Sequence, residues 1–97
     1  MIIKWTELAS QDLDFIHDYI VKDNPTAAVD VVIHVMESVE KLIPQNTAIG
    51  RPGRLLGTRE LIITKYPYIV LYRILNNEIE VIRVIHTSMK WPENIEE

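Results

Sequence analysis

One histidine and a handful of arginines carry whatever phosphate or carboxylate chemistry this 97-residue chain can do. His86 closes an apolar run that also holds Arg83. Arg51 and Arg54 lie in Gly50-Arg51-Pro52-Gly53-Arg54, and Arg59 and Arg73 stand beside further apolar runs. An imidazole can give or take a proton near neutral pH, and a guanidinium can clamp a phosphate or carboxylate with two parallel hydrogen bonds. His86 and Arg83 are the candidates for that chemistry. Each has an equally simple reading, a strand-end histidine bonded to a neighbour and a polar position on a solvated sheet face. The Gly50–Arg54 segment could present its arginines to a target or be a solvated turn. It lacks the spacing of a phosphate-binding loop, no HExxH or paired-ligand spacing occurs, and there is no cysteine, so neither a metal nor a nucleotide cofactor is expected.

The elements that must position these residues follow from periodicity. Ile2, Ile3 and Trp5 suit a short first strand, with Thr6 or Ser10 available as a helix N-cap. Ala9, Leu13, Ile16 and Ile20 recur at three and four residues, which predicts an amphipathic helix over 7–22. Asn24-Pro25 supplies a cap and a first helical residue for a second helix, carried by Ala28, Val32, Val35, Val39 and Leu42 as far as Pro44. The β-branched run Val31, Val32, Ile33, Val35 has weak helix propensity and leaves a strand possible there, although the period favours helix. Residues 45–58 hold all three glycines and read as one long loop. Three strands then follow, Glu60 to Lys65, Tyr68 to Ile74 and Ile79 to His86, with Asn76-Asn77 suited to a tight hairpin. Glu78 and Glu80 alternate with Ile79 and Val81, as guards of a sheet edge would. His17 and His34 are expected on the helix surfaces, and Trp5 and Trp91 as packing residues near the termini, with Trp91 also a possible partner anchor. The fold expected is α+β, ordered β-α-α-β-β-β, with a two-helix hairpin on a mainly antiparallel sheet and a tail from about residue 88 to 97.

Composition bounds the function. A hydrophobic fraction of 47% supports one modest core over residues 1–97. The absence of cysteine, of a signal-peptide pattern and of any stretch of membrane-spanning length points to a cytoplasmic protein with no membrane partner. Net charge is −4, and the halves differ: residues 1–50 carry three lysines and eight acids, while 51–97 carry seven Lys/Arg and six acids. Between Gln45 and Asn77 five bases face the single acid Glu60. A protein that held nucleic acid mainly through phosphates is usually basic overall, which argues against that class.

The strings QDLDFIHDYI, NPTAAVDVV, GRPGR, GTREL, YIVLYRI and IEVIRVIHTSMKWP, in this order from about residue 3 to 92, resemble the ParE/RelE toxin superfamily. The segment Arg83–Met89 is the most specific part, with Tyr72-Arg73 on the strand before it. The resemblance implies the same fold, no cofactor, no small-molecule substrate, and a cognate antitoxin whose C-terminal segment wraps and neutralises the toxin. It implies one of two activities: poisoning of DNA gyrase in ParE-like members, or ribosome-dependent mRNA cleavage in RelE-like members. RelE-like enzymes rely on a dense Lys/Arg cluster and, in several members, a C-terminal tyrosine, and no tyrosine follows Tyr72 here. That favours a ParE-like inhibitor whose target-binding surface is Arg51, Arg54, Arg59, Arg73, Arg83 and His86, masked by an acidic antitoxin. The alternatives are a ribonuclease with His86 and Arg83 at the scissile phosphate, and a non-toxic member that only binds its antitoxin.

Overall fold

In the computed structural model, which describes residues 1–91, a single residue ends the first strand and starts the first helix. Strand β1 (Ile3–Trp5) stops at Thr6, whose extended backbone makes it the N-cap of α1 (Glu7–Val21). The Thr6 hydroxyl accepts the Ala9 N–H at 3.1 Å, one of the donors a helix start leaves unpaired, and donates to the Ile82 carbonyl at 2.9 Å. Helix α2 (Pro25–Leu42) opens the same way, with Asn24 Oδ1 accepting from the Ala27 N–H and Pro25 in the first turn. The β-branched run of α2 is helical. Val31 and Val35 fall on its buried side, where packing outweighs their propensity.

The chain then builds β2 (Arg51–Pro52), β3 (Arg59–Ile63), β4 (Tyr68–Leu75) and β5 (Glu78–His86). The five strands lie in the order β1-β5-β4-β3-β2. All neighbours are antiparallel except β1 and β5, which run parallel because the whole helical hairpin intervenes between β1 and the rest. Asn76 and Asn77 both have positive φ, 52° and 59°, and form the tight β4–β5 turn expected of them. The segment expected as an unbroken loop contains β2, two residues that pair with Arg59 and Glu60.

The helices cover one face of the sheet. Ala9, Leu13, Ile16, Val31, Val35 and Val39 meet Leu61, Ile63, Tyr68, Val70, Tyr72, Ile79, Val81 and Val84 in a single apolar cluster, with Trp5 packed at its edge. Strict alternation cannot place both Val81 and Val84 on that face. A bulge in β5 at Ile82, opposite the Leu71–Tyr72 step, inserts the extra residue that shifts the phase, so Arg83 comes to lie opposite Leu71 on the other face. Glu78 and Glu80 do not guard an edge, because β1 covers that part of β5. Glu78 pairs with Lys4 at 3.3 Å and Glu80 with Arg73 at 2.6 Å.

Because β1 is only three residues long, β5 outruns it. Past Val81 the open edge is taken over by side chains. Asp12 on α1 accepts the Val84 N–H at 2.9 Å and two bonds from Arg83, at 2.8 and 3.0 Å. Removing that carboxylate leaves a largely buried amide without its acceptor and takes two hydrogen bonds from the Arg83 guanidinium. Asp12→Ala is expected to lower stability by about 2–4 kcal/mol, measured by urea denaturation, whereas a surface change such as Asp14→Ala should cost under about 0.5 kcal/mol.

Candidate functional site

The arginines singled out by the sequence lie mostly on the face of the sheet away from the helices. Register places Arg51, Glu60, Leu71 and Arg83 in one row across β2, β3, β4 and β5, and Arg73 is opposite Glu80 one step further along. Glu60 is 1% exposed and is the centre of the row. Its Oε1 accepts from Arg51 Nε and Nη2 at 3.0 and 2.8 Å, and its Oε2 accepts the Arg54 backbone N–H at 2.9 Å. A carboxylate buried this deeply persists only with its oxygens occupied, and here the Gly50–Arg54 segment folds around it. The Arg54 guanidinium is 3.9 Å from the same carboxylate and lies 4.1 Å over the Trp91 ring, which ties the start of the tail to the loop. The remainder of the expected tail, 92–97, lies outside the described residues.

Arg59 points to the other side of the strand and donates to the Gly50 carbonyl at 2.7 Å, stabilising the turn into β2. The same turn is fixed by Tyr72. Its ring is fully buried, and its hydroxyl donates to the Thr47 carbonyl at 2.8 Å and accepts the Gly50 N–H at 2.9 Å. A Cβ on residue 50 would lie 2.7 Å from the Tyr72 ring and 3.0 Å from the Glu60 backbone carbon, so only glycine fits there. Tyr72 and Glu60, neither offered by the sequence as a site residue, are thus what hold Arg51, Arg54 and Arg59 in place. The faint signal for Glu60 was its standing as the single acid among five bases between Gln45 and Asn77.

His86 sits at the end of β5, edge-on to Tyr68 with ring centroids 5.3 Å apart. The Ser88 backbone N–H lies 3.1 Å from its Nδ1, and the Ser88 hydroxyl 2.7 Å from the same atom. A backbone amide can only donate, so Nδ1 accepts and the neutral ring carries its proton on Nε2. Arg83 is oriented by Asp12 as described, and Arg73 by Glu80. Of the other histidines, half-exposed His17 lies 3.4 Å from Asp18, and His34 packs edge-on to Tyr66. No group of three or more potential metal ligands occurs among the described residues, and no helix there is long and apolar enough to cross a membrane.

Burial raises the pKa of both core tyrosines above the ordinary 10.0. At Tyr68 the Tyr19 phenol adds to the effect; at Tyr72 the Gly50 hydrogen bond and the charge of Arg59 oppose it. A phenol that ionises later in the folded state than in the unfolded one contributes fully at lower pH. Its contribution is lost as pH rises through the folded value. The urea midpoint is therefore expected to fall above about pH 10, and Tyr68→Phe/Tyr72→Phe should flatten that decline relative to the parent chain. At neutral pH, Tyr72→Phe alone should cost about 1–2 kcal/mol, from the two hydrogen bonds lost.

With this geometry in place, likeness to known proteins can be weighed. Residues 3–91 match the family described as the ParE toxin of the type II toxin–antitoxin system parDE. The chain is 43% identical over 91 residues to Y4kP of Sinorhizobium fredii, whose designation as a toxin is itself provisional; the match covers 94% of this chain and 93% of that one. Among solved structures, a chain of the chromosomal ParDE toxin–antitoxin system of P. aeruginosa superposes with a TM-score of 0.83 at 32% identity, covering 91% of this chain and 97% of that one. A chain of the RelBE2 toxin–antitoxin complex of Mycobacterium tuberculosis shares the fold, with a TM-score of 0.63 at 23% identity over 88% and 95% of the two chains. The matched span, the identity over almost the whole of both chains and the superposition agree: this chain belongs to the ParE family of type II toxin–antitoxin toxins.

Proposed function

We propose that the chain acts as a ParE-like inhibitor that binds DNA gyrase, blocks replication without chemistry of its own, and is neutralised by a cognate antitoxin. The observation that carries this reading is the commitment of the candidate ribonuclease groups to internal partners. Arg83 is oriented by Asp12, and His86 Nδ1 accepts from Ser88. A ribonuclease reading would leave His86 only its Nε2–H, suited to protonating a leaving oxygen, and would need a base elsewhere for the 2′-hydroxyl. Binding needs no such base. The arginine-bearing face of the sheet supports a contact surface: Arg51 and Arg54 stay half-exposed, and two guanidiniums share the one Glu60 carboxylate, leaving the loop a net positive charge toward solvent.

The test is induction of the chain without its antitoxin while DNA integrity and mRNA integrity are followed together. The expected result is a DNA-damage response with intact mRNA, unchanged by His86→Gln. Rapid mRNA cleavage with undamaged DNA, abolished by His86→Gln, would replace this reading with the ribonuclease, and normal growth with abundant folded protein would point to a non-toxic member. For the contact surface, Arg54→Gln is a cleaner probe than Arg51→Ala, because the backbone N–H at position 54 still serves Glu60 while Arg51 remains its charge partner. Arg54→Gln is expected to weaken gyrase inhibition about tenfold, equivalent to one charged contact, while loss of its contacts with Trp91 and Glu60 lowers stability by no more than about 1 kcal/mol in urea denaturation.

A further inference from the structure

The turn that joins β2 to β3 carries the most exposed large apolar side chain among the described residues. Leu56 is 99% exposed, so the fold uses almost none of its surface. The backbone beneath it is closely held. The Gly53 N–H donates to the Thr58 carbonyl at 2.8 Å, and the Leu55 carbonyl accepts both the Thr58 N–H at 3.2 Å and the Thr58 hydroxyl at 2.6 Å. Thr58 is buried, and a Cβ on Gly53 would clash with its Oγ1, so the two sides of the turn are in direct contact. Among the described residues only Asn76, Asn77 and Gly57 have positive φ, and at Gly57 it is 80°. That makes Leu55–Thr58 a type II β-turn with Leu56 at its first corner, where proline is the residue best suited. Nothing in the fold calls for leucine there.

Lone exposed leucines are common on protein surfaces, and this one is set apart by its surroundings. The base of the same turn carries Arg51 and Arg54, both half-exposed, with the single Glu60 carboxylate between them. An aliphatic tip on a preordered loop, flanked by guanidiniums, has the make-up of an interface anchor: an apolar group to fill a pocket, charges to align at its rim, and little ordering cost on docking. We propose, resting on the reading above that the chain inhibits by binding, that Leu56 is the anchor by which it docks on its target protein, filling an apolar socket with an acidic rim. Other occupants fit less well. A net charge of −4 disfavours a phosphate backbone. One leucine is far less apolar surface than stable attachment to a bilayer takes. A second copy meeting the same turn across a two-fold axis would set arginines against arginines.

The test compares Leu56→Ser, Leu56→Met and Phe15→Ser in the full chain, by inhibition of supercoiling by purified gyrase and by growth arrest on induction without antitoxin. Leu56→Ser is expected to need at least about tenfold more protein for half-inhibition and to relieve the arrest. Its urea midpoint should match the parent's, because a side chain this exposed has almost no contacts to lose. Leu56→Met keeps an apolar side chain of similar volume and should stay within about threefold of the parent. Phe15→Ser removes a 71% exposed apolar side chain from α1 and should leave inhibition unchanged. Inhibition and arrest by Leu56→Ser equal to the parent's would overturn the anchor and leave the proposed function standing. A parent chain that arrests growth without inhibiting gyrase would overturn the gyrase reading instead, and the anchor would then stand or fall by whether Leu56→Ser relieves the arrest. A parent that does neither would overturn both. Binding of the parent to gyrase-free duplex DNA or to phosphatidylglycerol vesicles that Leu56→Ser abolishes would assign the side chain to that occupant and overturn the anchor. So would a dimer in sedimentation that Leu56→Ser dissociates.

Discussion

The structure depends on one carboxylate doing the work of a missing strand. β1 covers only Ile79–Val81 of β5, and a strand edge left open beside a helix would strand polar backbone groups in an apolar setting. Thr6 and Asp12, six residues apart at the start of α1, continue the edge. Thr6 takes the Val81 and Ile82 carbonyls, and Asp12 takes the Val84 N–H. The bulge at Ile82 falls within the stretch they cover, so the change of phase that puts Val84 into the core is held where it occurs. The angle of α1 across the sheet, and through the α1–α2 packing the position of the whole hairpin, follows from this attachment. So does the fate of Arg83, whose guanidinium is drawn to the same carboxylate.

A second buried acid organises the opposite end of the sheet by the same logic. A buried Glu60 carboxylate needs partners for its oxygens, and the chain supplies Arg51 nine residues earlier together with the Arg54 amide, so the glycine-rich segment is wrapped around it. Tyr72 locks the preceding turn from the helix-facing side of the sheet, through Thr47 and Gly50. The segment is long for a connection but is pinned at three points. It presents its arginines from a fixed frame, which reduces the ordering cost of binding a partner.

How much of this was legible in one dimension follows from the range of each interaction. Helix positions came from apolar spacing and from caps acting within three residues, Thr6 to Ala9 and Asn24 to Ala27, and the β4–β5 turn from the tolerance of asparagine for positive φ. The bulge was invisible because Glu78-Ile79-Glu80-Val81-Ile82-Arg83 reads equally well as unbroken alternation for most of its length. β2 was invisible because a two-residue strand has no period. The partners of the arginines were hidden for a different reason: Asp12 and Arg83 are 71 positions apart, and nothing local marks Asp12 among the acids of α1 as the one that turns inward. The arginines were therefore legible as candidates, but not the carboxylates that orient them.

Those carboxylates divide the electrostatics of the molecule into two regimes. The pairs at Glu60, Glu80 and Asp12 involve acids exposed by 15% or less, where salt screens weakly and geometry decides the strength. They belong to the fold and should persist at any ionic strength the fold survives. The acids of the hairpin are solvated, and solvated pairs are individually worth under about 1 kcal/mol and fade beyond a screening length of about 8 Å at physiological salt. They contribute little to holding the protein together and can instead steer what approaches it. A chain with net charge −4 can thus present positive charge on one face of its sheet and negative charge on its helices, because its sheet acids and Asp12 are buried beside bases and most of the other acids of its helices are exposed. The two faces thus differ in sign, and a change of salt acts on the solvated acids of the hairpin before it disturbs the paired arginines of the sheet.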